Sequence, residues 1–253
     1  MIFTTTIEDK KYSADLTQPI DISIPLLSEA PGPKCFHAPN VRMWPVVAGD
    51  WIGSTASGSP VNFYNLQLNP HGNGTHTECV GHISKEKVTI NTVLRQCMCT
   101  AQLITIEPTQ LAHGDSVITT EQLAQLELAT GISALIIRTS PNTAHKMTKD
   151  YSSTNPPYMT TEAVQYIVNQ GYVHLLLDLP SIDREKDDGK LAAHKAFWNY
   201  PATIDNKKTI TEMIYVNNSV IDGLYLCDIQ IINIDLDASP SRPLLYKLIA
   251  SEA

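Results

Sequence analysis

One pattern, a short amphipathic helix followed by an almost wholly apolar strand, occurs twice between residues 119 and 181. Thr119 and Gln122 have the spacing of a capping box, opening a helix that carries Leu123 and Leu126, and Gly131 can end it. The run Ala134-Leu-Ile-Ile-Arg-Thr-Ser140 follows. Forty residues later Thr160 or Thr161 opens a helix with Val164, Ile167 and Val168. Gly171 closes that one, and Val173-His-Leu-Leu-Leu-Asp-Leu-Pro-Ser181 follows. Apolar runs without polar alternation mark strands covered on both faces, which predicts an α/β layer. Two units are too few for a solenoid.

Strands are also expected over 19–27, 61–68, about 101–108, 209–216, 224–234 and 243–249, with residues 1–18 as an arm or edge strand. No segment reads as a linker. The chain of 253 residues is therefore expected to be one β-rich α/β domain, large enough to bury its own core. Residues 28–60 carry five prolines and four glycines, which predicts a long irregular excursion of the kind that covers a pocket. Phe36, Trp44 and Trp51 lie in it. They either wall a pocket or plug their own loop onto the core.

Lys+Arg is 18 and Asp+Glu is 26, a net charge of −8, which argues against nucleic-acid or anionic-membrane binding because phosphate contacts need surplus cations. No apolar stretch approaches the ~18 residues of a membrane span, and the N-terminus lacks the apolar core of a signal peptide. The five cysteines include no CxxC pair, as expected of reduced thiols in a cytoplasm.

The most unusual segment is His71-Gly-Asn-Gly-Thr-His-Thr-Glu-Cys-Val-Gly-His82. Three of the eight histidines, His71, His76 and His82, fall within these twelve residues, with Glu78 two after His76. Imidazole and carboxylate suit zinc, manganese or iron. A His-x-Glu pair in extended backbone points both side chains to one face, and Gly72, Gly74 and Gly81 let the backbone fold tightly. A metal or catalytic loop is the reading this supports. Cys79, alternating away from Glu78, is expected to be a buried spectator, and His37, His113, His145 and His174 to be structural. Asn73 and Thr75 either order the loop or donate to substrate.

The segment resembles the signature of the cyclase / kynurenine-formamidase-like family of metal-dependent hydrolases, His-x-Gly-Thr-His-x-Asp-x-Pro-x-His. Gly74-Thr75-His76, the acid at 78 and His82 fit without a gap. Asp178-Leu-Pro-Ser181-Ile-Asp183 resembles a later Asp-x-x-Ser-x-Asp segment of that family. Leu191-Ala-Ala-His194-Lys-Ala-Phe197 is similar to its "AHHAF" segment, and Thr209-Ile-Thr-Glu212-Met-Ile to its "I-x-E-x-L" strand. The first signature histidine falls on Gly72, so His71 serves only if the loop accommodates one extra residue. Glu78 stands for the usual Asp, Val80 for Pro and Lys195 for the second His.

The resemblance implies a barrel-like, swivelling β/β/α fold and a homo-oligomer, dimer or tetramer. It implies His71, His76, Glu78, His194 and Glu212 as ligands of one or two zinc or manganese ions, and His82 as general acid/base. The activity it implies is hydrolysis of an amide, aryl-formamide such as N-formylkynurenine, or cyclic amide or lactone, by a water whose pKa the metal lowers towards ~7. Phe36, Trp44, Trp51, Phe197 and Trp198 are candidate pocket residues for a small-molecule substrate. Asp178 and Asp183 are candidates to hydrogen-bond a ligand histidine. The alternative reading is a binding protein of the same fold without catalytic metal, favoured by Gly72.

Overall fold

A computed structural model describes residues 1–28 and 30–251. Seven strands close into a barrel: β1 (His76–Cys79), β2 (Met98–Ile106), β3 (Ala134–Thr139), β4 (His174–Leu177), β5 (Thr209–Glu212), β6 (Gly223–Ile231) and β7 (Ala238–Lys247). Their order around the wall is β6-β2-β3-β4-β5-β1-β7, and β7 pairs back onto β6. The neighbours β2, β3, β4 and β5 run parallel. The other four contacts are antiparallel.

The doubled helix–strand pattern accounts for the parallel half. Four helices occur among the described residues: α1 (Ile90–Val93), α2 (Thr120–Ala124), α3 (Thr161–Asn169) and α4 (Ala192–Trp198). The Thr119/Gln122 capping box forms as expected, and the Thr160 side chain caps α3. On β3 and β4 the side chains of Leu135, Ile137, Leu175 and Leu177 face outward against Leu123, Val164, Ile167, Phe197 and Trp198 of the helices. Ala134, Ile136 and Leu176 point into the barrel with Leu103, Tyr225, Ile229 and Leu245. The apolar runs of these strands are thus buried on both faces, each Leu or Ile contributing about 1.5–3 kcal/mol.

Several segments differ from expectation. Of 19–27 only Ile20–Asp21 pairs, with β7. Beyond it Ile24 leaves the ladder and donates its amide to Thr75 Oγ1. Residues 1–18 form a hairpin, Ile2–Ile7 with Lys10–Asp15, which Ile249–Ala250 extends. In the excursion, Arg42–Pro45 pairs with Tyr64–Gln67 and Val47–Ala48 with Trp51–Ile52, making a projecting hairpin. The strand expected over 209–216 stops at Glu212 because Met213 is left-handed, φ 53°, a strained conformation for a buried methionine. No helix among the described residues is long and apolar enough to cross a membrane.

His174, at the start of β4, is buried, with Nδ1 2.8 Å from Thr209 Oγ1. Burial lowers its pKa from 6.5 to about 4. The unfolded chain therefore takes up this proton first as pH falls. The group's contribution is complete above about pH 6.5 and is lost progressively towards pH 4, amounting to about 2 kcal/mol by pH 5. Urea unfolding at pH 7 and pH 5 should show that extra loss in the native protein and not in His174→Gln.

Candidate metal centre

The barrel's register assembles the site. Glu212 of β5 stands directly across from His76 of β1, and Ile210 across from Glu78. His76, Glu78 and Glu212 share the outward parity of Ile210 and Val80, so they lie on the outer face of the wall, beneath α4. Thr77 and Cys79 point the other way. Thr77 Oγ1 is 2.8 Å from Thr211 Oγ1, and the Cys79 thiol donates to the Val88 carbonyl at 3.6 Å. Burial pushes the Cys79 pKa up to about 11, so this thiol is protonated at neutral pH and serves packing.

The glycines have local reasons. Gly74 is left-handed, φ 67°, and a Cβ there would lie 2.9 Å from Leu26 Cδ2. A Cβ on Gly72 would stand 2.3 Å from Ala38 Cβ. No side chain fits at the position where the signature has its first histidine. The excursion presses on the loop there: Cys35 N donates to the Gly72 carbonyl and Gly74 N to that of Pro33. Asn69 Oδ1 accepts the amides of His71 and Gly72, and Asn73 Oδ1 accepts that of Asn69. Thr75 accepts from Ile24 and donates to the Met213 carbonyl. Asn73 and Thr75, left open by the sequence, therefore order the loop.

With that shape His71 enters the site in place of residue 72. Its Nδ1 is 3.0 Å from Glu78 Oε2. The His76 ring has Nδ1 3.1 Å from the Gly74 carbonyl, which can only accept, so Nδ1 carries the proton. Nε2 then points inward, fully buried and without a hydrogen bond, 3.4 Å from Glu212 Oε2. His194, delivered by α4, places Nε2 3.1 Å from Glu78 Oε1 and 3.9 Å from Glu212 Oε1. Glu78 faces His71 with one oxygen and His194 with the other. Glu212 is held by the Ile182 amide on Oε1.

Ligand atoms of His71, His76 and Glu78 lie within 4.8 Å of one another, as do those of Glu78, His82 and His194. An orphaned, buried imidazole nitrogen among two carboxylates and two further histidines is the donor set a divalent cation needs. The five expected ligand positions thus converge. Burial disfavours charge on His71 and His194, but their carboxylate partners outweigh it and raise both to about 10. Burial alone would raise the Glu78 carboxyl, but His82, followed by His194 and His71, holds it well below its usual range.

Two carboxylates brace the histidines. Asp183 Oδ2 is 2.6 Å from His194 Nδ1, and the carboxylate also accepts the amides of Ala193 and His194 at the start of α4. It is both a helix cap and a histidine partner. Asp183→Ala should cost about 1–2 kcal/mol of stability through the cap and, independently, about 10–100-fold in cation affinity. Thermal melts with and without added Zn2+ separate the two effects. Asp178 lies elsewhere, against Lys146 Nζ at 2.8 Å and Thr139. The second brace, Asp237, has no counterpart in the sequence reading. Its Oδ2 is 2.7 Å from His71 Nε2 and 3.6 Å from His82 Nδ1.

A cleft of about 200 Å³ opens over Glu78, His82, His194 and Glu212, with Phe36, Arg184 and Leu191 among its other walls. Of the five expected pocket aromatics only Phe36 borders it. Trp44 and Trp51 are carried away on the projecting hairpin, where both are exposed. Phe197 and Trp198 lie inside the core beneath α4, the Trp198 ring 5.5 Å from that of His194. Helical periodicity sends the bulky end of α4 inward while His194 reaches the wall. Arg184 is fixed at the rim by Asp115, Nε to Oδ2 at 2.9 Å.

Barrel and side-chain cluster together define a candidate cation site of histidines and carboxylates on the outer wall of a β-barrel. Residues 14–184 match the family described as "Putative cyclase", and the chain belongs to that family. The fold recurs in solved structures. A predicted metal-dependent hydrolase from Bacillus stearothermophilus superposes with a TM-score of 0.64 at 17% identity, covering 90% of this chain and 98% of that one. Isatin hydrolase A from Ralstonia solanacearum gives 0.66 at 13% identity, over 90% and 91%. The enzyme of that name from Labrenzia aggregata, bound to benzyl benzoate, gives 0.64 at 12%, over 90% and 93%. No curated protein matches the chain.

Proposed function

We propose that this protein is a metal-dependent hydrolase acting on a carbon–nitrogen or lactone-type carbonyl of a small substrate, an aryl-formamide or a cyclic amide. The observation that carries the reading is the inward, unpartnered Nε2 of buried His76 among His71, Glu78, His194 and Glu212. When bound, a zinc or manganese ion supplies charge stabilisation for a carbonyl oxygen and makes water more acidic. His71, His76, Glu78, His194 and Glu212 would hold it. His82, 30% exposed at the cleft, takes a proton from the attacking water and returns it to the leaving nitrogen or oxygen. Phe36 and Leu191 offer a face for an apolar ring. The cleft is small beside the ~300–1,000 Å³ of ordinary ligand pockets, which favours a compact substrate.

Elemental analysis of protein purified without chelator, then hydrolysis of isatin and N-formyl-aniline-type substrates before and after EDTA, tests the reading. Stoichiometric metal with EDTA-sensitive turnover supports it. A protein that takes up neither Zn2+ nor Mn2+ contradicts it.

Homo-oligomerisation belongs to the same reading. The hairpin and the chain beside it expose Val47, Ile52, Val61, Phe63 and Leu66, large apolar side chains that a second copy would cover. Sedimentation should give a dimer or tetramer, and Phe63→Lys with Leu66→Glu should shift it towards monomer.

A further inference from the structure

We propose that Asp237 is the residue that sets His71 to bind the cation through Nδ1, in a loop whose residue 72 has room for no side chain. The proposal rests on the cation site described above. It starts from the clash at position 72, where a Cβ would stand 2.3 Å from Ala38 Cβ. The histidine at 71 enters the site instead, between Glu78 and Asp237. An imidazole has two nitrogens, and a ligand histidine works when one is pinned by an acceptor and the other is left for the ion.

His76 and His194 are both pinned at Nδ1, by the Gly74 carbonyl and by Asp183, and both offer Nε2. His71 is reversed. Its Nε2 is 2.7 Å from Asp237 Oδ2, while Nδ1 faces Glu78 Oε2 at 3.0 Å. Rotating the ring by 180° about its Cβ–Cγ bond would break both contacts, that of Nδ1 with Glu78 and that of Nε2 with Asp237, and of these two partners Asp237 is the one outside the expected ligand set. Asp237 is itself fixed: it directly precedes β7, and its carbonyl accepts the Cys79 amide of β1 at 3.0 Å. The carboxylate therefore moves with the strand that carries His76 and Glu78. With its side chain one-third exposed, it bears no heavy desolvation cost.

The test is Co2+ uptake by the apo protein, followed by visible absorption and calorimetry, for the native chain, Asp237→Asn, Asp237→Ala, His71→Ala and the His71→Ala/Asp237→Ala double variant. Asp237→Ala should weaken Co2+ binding about 10–100-fold and alter the absorption band, with Asp237→Asn, which keeps an acceptor, losing less. In the His71→Ala background, removing Asp237 should change affinity less than about twofold, because a residue acting through His71 has nothing left to act on. Asp237→Asn is nearly isosteric, so the comparison survives if the alanine variant folds poorly. Native affinity in both Asp237 variants overturns the role of Asp237 alone. Additive losses in the double variant overturn it too, since they would make Asp237 a ligand in its own right. Failure of the native chain to bind Co2+ overturns the cation site and this proposal together.

Discussion

His76→Asn should abolish cation uptake and hydrolysis while leaving the fold in place. The asparagine amide can occupy the place of Nδ1 and donate to the Gly74 carbonyl, 3.1 Å away in the native loop. What it lacks is the inward Nε2, the one buried side-chain nitrogen of the cluster without a hydrogen bond. Outer partners of a ligand carry about 10–100-fold in affinity, so loss of the ligand atom itself should exceed that. Native protein at a hundredfold excess of Zn2+ over its dissociation constant should gain about 2.7 kcal/mol of stability. The variant should gain none and melt, cation-free, close to the native protein. Equal melting of both with and without Zn2+ would remove the case for His76 as a ligand.

The second large effect is expected at Gly72. Gly72→Ala places a methyl 2.3 Å from Ala38 Cβ, and Cys35 O and Asn69 Oδ1 close the other sides at 3.4 Å. Overpacking of this kind costs about 1–3 kcal/mol. The loop must give way, and His71, one residue back, goes with it. Cation affinity should fall at least tenfold, on the scale of misplaced ligand partners. Because the first obstacle is a side chain, Ala38→Gly should restore much of both losses in the double variant. Denaturant unfolding and Zn2+ titration of the two single variants and the double variant check this. A Gly72→Ala protein of native stability and affinity would mean that the loop is softer than its hydrogen bonds indicate.

Much of this architecture is written locally. The capping box at Thr119 and the apolar runs of β3 and β4 announce the parallel half of the barrel, because propensity and periodicity act over a few residues. The pair His76 and Glu78 is legible for the same reason: one strand, period two. The closure of β7 onto β6 is legible only through the family resemblance, which implies a barrel, since the segments it joins have patterns that would serve an open sheet equally well. Asp237 is invisible for a related cause. It sits in Asp235-Leu-Asp237, an unremarkable pair of acids, and only the pairing of β7 with β1 brings it to His71. Trp44 and Trp51 mislead in the opposite sense. Aromatics in a Pro- and Gly-rich excursion suggest a pocket wall, but the excursion pairs with itself and with the segment that follows it, carrying them outward. The left-handed Met213 that ends β5 just past Glu212 has no signal in a methionine side chain.

Whether these side chains hold a divalent cation is decided by anomalous diffraction from crystals grown with Mn2+ or Zn2+. At the metal's absorption edge an anomalous peak is expected between His71 Nδ1, His76 Nε2 and Glu78, with His194 and Glu212 completing the surroundings. A map with no peak there at saturating metal, or with the metal bound only elsewhere on the chain, would contradict it.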